Sequence, residues 1–270
     1  MRMPRLYVAL CLLIAASTVS SADAQESVTL RLKPSVGQVR RYRMVSLSWI
    51  RIPGMPLLDT IAPTIAETLY TTLTSAARDS GKWTTSTVVD SSSVSMMGRA
   101  NPGGGFMRGT VIRQTWDSLG HVDSTEVIPA AGVNAGMAER LRSEGLLGGG
   151  SLGMPDRAVR VGESWSDSTS RTVSDAAGKR TLRAWVTYRL DSVEHNGAHR
   201  VAVVSSQMTI SADALGASAS GKGTGAGSYR LDLDAGQLLA ASTDVTMDIS
   251  ANTVKGSSRA HTAIDLLGPQ

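Results

Sequence analysis

A long stretch in the C-terminal part of the chain alternates strictly between two kinds of side chain. From Ala217 to Leu233 the odd positions hold Gly, Ala, Tyr or Leu, whereas the even positions hold mainly Ser, Thr, Lys, Arg and Asp. A period of two over this length is typical of a β-strand with one buried face and one solvated face. Four alternate glycines lie on the predicted buried face: Gly221, Gly223, Gly225 and Gly227. A bulky group can therefore approach the backbone closely along this strand.

Strand-like segments separated by glycine-containing turns make up much of the chain after residue 25. Val28–Pro34 and Val39–Ile52 flank a turn sequence at 35–38, which predicts a first hairpin. Thr68–Ala77 and Trp83–Met97 predict a second pair of strands joined by a tight turn. We therefore expect a mainly β protein, built as a strongly curved antiparallel sheet or an open barrel.

A fixed offset of 116 residues places glycines over glycines and predicts two similar halves. The aligned pairs are Gly81 with Gly197, Gly105 with Gly221, Gly109 with Gly225 and Gly120 with Gly236. Recurrence at a fixed spacing indicates a duplicated unit, and chance alignment in glycine-rich sequence is the alternative. We expect pseudo-halves at about 25–128 and 158–270 within a single domain, 25–270.

A helix is predicted near residues 131–147, between the two halves. Val133, Met137 and Leu141 are four residues apart and form one apolar stripe. Glycines from Gly148 onward follow the segment, as is common after the end of a helix. We expect this one helix to cover part of the concave face of the sheet.

The first 24 residues have the layout of a secretory signal peptide. Arg2 and Arg5 precede an apolar run, which ends before the small-residue sequence Ala22-Asp23-Ala24. The apolar run is much shorter than the roughly 20 residues that a membrane-spanning helix needs. We expect cleavage after Ala24 and export to the periplasm or the extracellular space, where the protein can lie peripheral to the outer membrane.

Composition argues against several kinds of site. The single cysteine, Cys11, lies inside the predicted signal peptide, so we expect a mature chain without disulfides, thiolate nucleophiles or Cys-bound metals. The 27 basic and 23 acidic residues are interspersed, and there is one Phe. Nucleic-acid surfaces instead show clustered basic charge with aromatic side chains. We expect no cofactor, no metal and no nucleic-acid partner.

Two motifs with catalytic precedents lack the required context. Residues 149–153 match G-x-S-x-G, but a nucleophile elbow needs a strand before Ser151 and a helix after it. Here the predicted helix comes before the serine. His195 and His199 flank Asn196-Gly197, a hairpin signal that predicts Glu194 opposite His199. We therefore expect no catalytic residues and no enzyme, with a serine hydrolase as the least favoured alternative.

The segment 158–165, A-V-R-V-G-E-S-W, resembles a motif of uncharacterised exported bacterial β-rich proteins, a domain of unknown function. The D-x-x-G turn Asp117–Gly120 and the related turn Asp232–Gly236 add to this resemblance. It implies export and a β-rich fold, and it brings no catalytic residues. The architecture is also similar to that of periplasmic lipoprotein carriers, in which a curved sheet surrounds an apolar cavity.

These patterns favour a non-catalytic binding function. The leading hypothesis is an exported protein that binds an apolar or lipid-like ligand on its glycine-flattened face. The alternative is a cell-envelope structural or protein-interaction domain with a filled core, whose partner would be a cell-envelope protein. The candidate ligand-binding residues are Met137, Leu141, Gly223, Gly225, Tyr229 and Leu231.

The signal peptide can be tested directly. After expression of the full chain in a bacterium, N-terminal sequencing of the exported protein is expected to start at Gln25. Ala24→Trp should accumulate uncleaved precursor, because the cleavage site requires small residues. Ser20→Ala, outside the cleavage motif, should be processed normally. An exported protein that keeps Met1 would contradict the prediction.

Overall fold

The computed structural model describes residues 26–54, 62–79, 81–101, 107–133, 138, 152–175, 178–197, 199–215, 219–251 and 254–268. The strands are β1 (Ser27–Val28), β2 (Val39–Arg51), β3 (Ile65–Asp79), β4 (Lys82–Met96), β5 (Arg99–Ala100), β6 (Val111–Trp116), β7 (Val122–Ile128), β8 (Val159–Arg160), β9 (Ser164–Asp175), β10 (Gly178–Asn196), β11 (His199–Leu215), β12 (Ala219–Asp232), β13 (Gln237–Ala251) and β14 (Val254–Leu267). All pairings between them are antiparallel. Within the described residues, no helix has the length and apolar character needed to cross a membrane.

Twelve of these strands form one sheet, which confirms the expected mainly antiparallel β class. The order is β7-β6-β4-β3-β2-β14-β13-β12-β11-β10-β9, with β5 beside β4. Strands β2 to β7 and strands β9 to β14 are two meanders, joined where β2 pairs with β14. In the described part of the chain the sheet starts at β7 and ends at β9, so it is open and not a closed barrel.

Alternating burial explains why the long segments form strands. In β12, Gly221, Tyr229 and Leu231 are buried, whereas Lys222 and Arg230 are exposed. The period-two pattern of the sequence therefore predicted this strand and its two faces correctly. We call the face that carries Tyr229 and Leu231 the core face of the sheet, and the opposite face the outer face.

One row of buried side chains crosses seven strands on the core face. Its members are Leu190, Val204, Tyr229, Ala241, Ile264, Met44 and Leu69, on β10, β11, β12, β13, β14, β2 and β3. Each of these side chains is at most 9% exposed. Burying a large apolar side chain contributes about 1.5–3 kcal/mol. The row therefore ties both meanders into one core across the β2–β14 junction.

Two extended segments, residues 26–34 and 152–160, cover this core, and we call them the crossing segments. Their strands β1 and β8 pair with each other, with Val28 opposite Val159. Leu30, Leu152 and Met154 are buried in the core cluster. The crossing segments therefore supply part of the apolar cover that a one-sided sheet needs.

Backbone hydrogen bonds attach the crossing segments to two turns of the sheet. Leu32 N–H donates to the carbonyl of Ser118 at 3.0 Å, and Met154 N–H donates to that of Leu119 at 2.9 Å, both in the β6–β7 turn. Lys33 N–H donates to the carbonyl of Gly236 in the β12–β13 turn at 2.9 Å. The turns thus hold the cover in place.

The same hydrogen bonds recur where each meander begins. In the first turn, Gln38 N–H donates to Ser35 O, and the Gln38 side chain accepts from Ser35 N–H. In the V-G-E-S-W motif, Glu163 N–H donates to Arg160 O, and the Glu163 carboxylate accepts from Arg160 N–H. A glycine with positive φ follows Val in both turns. The two turns therefore share a local geometry, but they are 125 residues apart and do not follow the 116-residue offset of the aligned glycines.

Two of the aligned glycine pairs occupy equivalent turns, and one does not. Gly81 and Gly197 lie in the β3–β4 and β10–β11 turns with φ of +84° and +62°. Gly120 and Gly236 likewise share positive φ in the β6–β7 and β12–β13 turns. Gly109, however, lies in a turn, whereas Gly225 lies inside β12, so that alignment is wrong. Gly105 lies outside the described residues.

The first predicted hairpin is wrong in one of its strands. The turn at 35–38 forms and β2 follows it, but Leu30–Pro34 do not pair with β2. Instead the segment before the turn belongs to a crossing segment, because its apolar residues are needed over the core. A turn sequence between two apolar runs determines where the chain bends. It does not determine which strand each run pairs with.

The predicted helix over 131–147 is not confirmed. Ala131 and Gly132 form a turn, and residues 134–137 and 139–150 lie outside the described residues. Ala138, the one described residue among them, is 7% exposed and belongs to the core cluster. In the described part of the chain, the crossing segments therefore form the extended cover of the core, and Ala138, with a helical backbone, adds to it.

The attachment of the crossing segment at Gly236 makes a testable prediction. A Cβ on Gly236 would lie 2.6 Å from both N and Cβ of Lys33, whereas one on Gly81 has open space. Both glycines have positive φ, so Gly→Ala strains both turns by roughly 1 kcal/mol. Gly236→Ala should lower the free energy of unfolding in urea clearly more than Gly81→Ala. Equal losses would show that the Lys33 contact is unimportant.

Candidate ligand site on the core face

An aromatic cluster lies at the β9–β10–β12 part of the core face. The rings of Trp165 and Tyr188 stack with centroids 5.5 Å apart, and Tyr229 is tilted against Tyr188 at 6.1 Å. Trp165 Nε1–H donates to the carbonyl of Gly153 at 2.7 Å, and Tyr188 Oη accepts from Gly153 N–H at 3.4 Å. Burial, with Tyr229 beside it, raises the pKa of Tyr188, so its hydroxyl stays neutral. The motif residue Trp165 therefore anchors a crossing segment.

Next to this cluster, β12 has only glycines on the core face over four alternate positions, and the flanking strands carry apolar side chains on both sides of the first three. The floor consists of Gly221, Gly223, Gly225 and Gly227. The sides are the residues in register with the first three glycines, Ala212, Ile210 and Met208 on β11 and Ile249, Met247 and Val245 on β13. We call this feature the glycine groove. Its sides are entirely apolar and lie outside the buried core cluster, with Ile249 42% exposed.

Two methionines lie over the floor of the glycine groove. A Cβ built on Gly223 would lie 2.6 Å from Cγ of Met247 and would also collide with the carbonyl oxygen of Thr246. A Cβ built on Gly225 would lie 2.9 Å from Cγ of Met208. The groups that approach the glycines closely are therefore methionine side chains and the backbone of β13. Glycine is required here for packing, since neither position has positive φ.

The structure places the predicted ligand-binding residues in different surroundings. Gly223 and Gly225 form the floor of the glycine groove. Tyr229 and Leu231, 7% and 2% exposed, belong to the core cluster beyond the inner end of the groove. Met137 and Leu141 lie outside the described residues. The groove sides on β11 and β13 were not singled out from the sequence, although their period-two apolar residues would have indicated them.

The predicted pair of Glu194 with His199 is wrong. The structure places Asn196 opposite His199 and Glu194 opposite Val201. Gly197 has positive φ, which suits the first central position of a two-residue turn. Glu194 instead accepts a hydrogen bond from Arg230 at 2.8 Å. The Asn-Gly signal located the hairpin but misplaced the turn by one residue, which shifts the partner of Glu194 by two residues.

A cluster of charged residues lies at the β12–β13 turn. His199, Asp232 and Asp234 bring their ligand-type atoms within 4.8 Å of one another, with His199 Nδ1 3.3 Å from Asp232 Oδ2. Asp232 Oδ1 also accepts the backbone N–H groups of Asp234 and Ala235, at 2.9 and 2.8 Å. Asp232 therefore stabilises the turn, in the manner usual for Asp at such positions.

The same cluster does not suit a metal ion. The Arg200 guanidinium donates to Asp234 at 2.8 and 3.2 Å, and Arg200 also lies 3.3 Å from Glu26 in a crossing segment. A cation would have to displace this guanidinium from Asp234. The planar guanidinium of Arg presents its N–H donors to carboxylate oxygens in a fixed geometry. We interpret the cluster as a network that attaches a crossing segment and the β12–β13 turn to β11.

The β6–β7 turn is built in a related way. Asp117 Oδ1 accepts the backbone N–H groups of Leu119 and His121 at 2.8 and 3.0 Å, and its Oδ2 lies 3.1 Å from His121 Nδ1. Burial raises the pKa of Asp117, but hydrogen bonds from His121 and Leu119 outweigh it and leave that pKa lowered. Both D-x-x-G-type turns thus use an aspartate that bonds backbone groups and lies beside a histidine.

The hydrolase alternative gains no support near its proposed nucleophile. Ser151 lies outside the described residues, but residues 152–158 after it are not helical. A nucleophile elbow requires a helix there. The segment instead forms a crossing segment, in which Gly153 bonds Trp165 and Tyr188.

No family model and no curated protein matches the chain. Three solved structures align over most of its length at low similarity. The hypothetical lipoprotein YmcC from Escherichia coli (K12) has 10% identity and a TM-score of 0.30, covering 96% of this chain and 97% of its own. DynF from the dynemicin biosynthesis pathway of Micromonospora chersina has 9% identity and a TM-score of 0.21, covering 91% and 88%. An engineered protein studied for asymmetric conductivity has 10% identity and a TM-score of 0.26, covering 85% and 99%. These superpositions are too loose to transfer a fold or a function.

The Arg200 network predicts a pH-dependent stability. Side-chain and backbone hydrogen bonds from Arg200 hold the pKa of Asp234 below its ordinary value of 3.8. Because the folded pKa is lowered, this stabilisation is present above the unfolded pKa and is lost as pH falls through the folded pKa. Asp234→Asn should therefore lower the urea midpoint at pH 7, and the difference from the wild type should shrink below pH 3.8.

Asp191→Asn is the matched control, because it removes only a 3.9 Å contact with Arg189. Its effect on the urea midpoint should be small, as is usual for exposed ion pairs. A constant difference between Asp234→Asn and the wild type at all pH values would contradict the ionic origin of the stabilisation.

Proposed function

We propose that this protein is an exported, non-catalytic binding protein that holds an apolar or lipid-like ligand in the glycine groove. The observation that carries the proposal is a contrast in burial between the two ends of the core face of β10–β13. Side chains near Tyr229 are buried in the core, whereas the groove sides remain partly exposed and are apolar. Exposed contiguous apolar surface is typical of binding sites.

The shape of the glycine groove suits a single acyl chain. Neighbouring strands lie about 4.8 Å apart, so the side chains of β11 and β13 stand roughly 10 Å apart on either side of β12. The glycines add no side chains between them, so displacing Met208 and Met247 would open an apolar track parallel to β12. A ligand of this kind would lie along β12, with its inner end toward Gly227 and Tyr229.

The methionines provide adaptable walls for the groove. Met208 and Met247 lie against Gly225 and Gly223, and methionine is the most flexible of the apolar side chains. A ligand that enters the groove would displace these two side chains from the glycines. Ligands of different width could then be accommodated without movement of the strands.

A polar group of the ligand would meet a buried hydroxyl at the inner end of the groove. Ser206 is 3% exposed and lies opposite Gly227, and its Oγ has no hydrogen-bond partner among the described residues. A buried hydroxyl without a partner costs free energy, which a bound partner would recover. This placement favours an amphipathic ligand over a plain hydrocarbon.

A second candidate function is a cell-envelope structural or protein-interaction domain with a filled core. The observation that favours it is the close packing of Met208 and Met247 on the glycines. If these side chains never leave the floor, the groove has no room for a ligand. The predicted signal peptide places either function outside the cytoplasm, in the periplasm or beyond.

The ligand hypothesis is tested by native mass spectrometry of the mature protein purified from a bacterial periplasm. We expect a reproducible added mass that solvent extraction releases as lipid. Ile249→Asn and Met247→Gln should each reduce the bound fraction severalfold, because they place polar groups in the apolar track. Ile249 is already 42% exposed, so its replacement should cost little stability.

Val39→Asn is the matched control, since Val39 is an apolar residue, 61% exposed, at the start of β2 and outside the groove. It should leave the bound mass unchanged. A protein without added mass that also takes up nothing from a membrane extract would refute the ligand hypothesis and favour the filled core.

A further inference from the structure

The outer face of the same strands carries a row of exposed threonines beside a tryptophan. Trp185 on β10 is in register with Thr209 on β11, which is in register with Thr224 on β12 and then Thr246 on β13. All four side chains are exposed. The row spans three strand intervals, or about 14 Å. It therefore presents three hydroxyls in line with one indole ring.

An open depression lies over this row. It has a volume of about 420 Å³ and is lined by these four residues together with Ile210, Ser211, Lys222, Gly223 and Asp248. This is within the size range of small-ligand sites, which typically combine an aromatic surface with a few polar groups. Threonine is common on exposed strands, so the depression and its tryptophan are what set this row apart.

Trp185 is the unusual residue of the row. Its side chain is 51% exposed although β10 lies inside the sheet, between β9 and β11. A tryptophan buries 150–250 Å² when it is fully packed, so on the order of 100 Å² of ring surface remains open to a ligand. By contrast, the stacked pair Trp165 and Tyr188 on β9 and β10 faces the core.

The charges around the depression are balanced. Lys222 and Asp248 are register partners on β12 and β13, so opposite charges stand side by side. Arg183 donates to Asp213 at the β10–β11 side, and Arg259 on β14, in register with Thr246, pairs with Asp244. A ligand in the depression therefore meets no net charge of either sign, which favours an uncharged occupant.

We propose that this depression binds a neutral glycan. A sugar ring has an apolar face of C–H groups that stacks on an indole, and its hydroxyls both donate and accept hydrogen bonds. Threonine and serine hydroxyls also do both, whereas Lys222 donates and Asp248 accepts. One ring stacks on Trp185, and the next two or three cross Thr209, Thr224 and Thr246. This site lies on the face opposite to the glycine groove and does not depend on it.

Other occupants fit the row less well. An added peptide strand pairs with the free backbone of a sheet edge, whereas β10–β13 are all internal strands. A nucleic acid requires an excess of basic charge. An anionic membrane surface also requires excess positive charge, and the depression has none because Lys222 stands beside Asp248.

The test is isothermal titration calorimetry of the mature protein with cellotetraose and with chitotetraose, two neutral oligosaccharides. We expect saturable binding of at least one, together with a change in tryptophan fluorescence. Trp185→Ala should weaken it about tenfold, the size of a lost aromatic contact. Thr224→Val, which keeps the shape and removes one hydroxyl, should weaken it about fivefold.

Thr187→Val is the matched control, because Thr187 lies on the same strand and face as Trp185 but outside the depression. It should bind as the wild type does. Absence of binding by both sugars, or binding that Trp185→Ala leaves unchanged, would overturn the proposal. Binding to phosphatidylglycerol vesicles that Trp185→Ala removes would also overturn it, in favour of a membrane surface.

Discussion

The pairing of the two crossing segments is the interaction on which the rest of the structure depends. A single sheet with one apolar face cannot bury that face without a second layer. Here β1 and β8 pair with each other, and Leu30 and Met154 lie in the core they cover. Hydrogen bonds to the β6–β7 and β12–β13 turns hold both segments. The position of the crossing segments determines which part of the core face is buried.

The glycine groove follows from the reach of this cover. Near Tyr229 and Leu231 the core face is buried, because the crossing segments and the aromatic cluster pack there. Farther along the same strands, the apolar positions of β11 and β13 continue while burial decreases. The glycines of β12 let Met208 and Met247 lie flat on the backbone, which shields some of that apolar surface.

The strands were predictable from the sequence where burial alternates, and their partners were not. β12 follows from period two, and β3 and β4 follow from their β-prone composition and the turn at Gly81, because a residue pattern reports its own local environment. The pairing of Val28 with Val159 depends on distant segments and leaves no local signal. The register near His199 was mispredicted because Asn196 was expected to be a central residue of the turn. Asn196 instead pairs with His199, and Gly197, with its positive φ, is the first residue after this pair. Of the site, Gly223 and Gly225 were found, whereas Trp185 required knowledge of its neighbours in register.

The two faces of β10–β13 carry different side chains because successive residues of each strand point to opposite faces. Ile210, Gly223 and Met247 share one row on the core face, and their immediate neighbours Thr209, Thr224 and Thr246 share a row on the outer face. A slip of one residue in any strand would move apolar side chains to the solvated face and threonines to the groove. The buried row from Leu190 to Leu69 opposes such a slip. Any shifted strand would move its buried apolar side chain of this row into solvent. The apolar groove and the hydroxyl row are therefore specified together by the packing of the core.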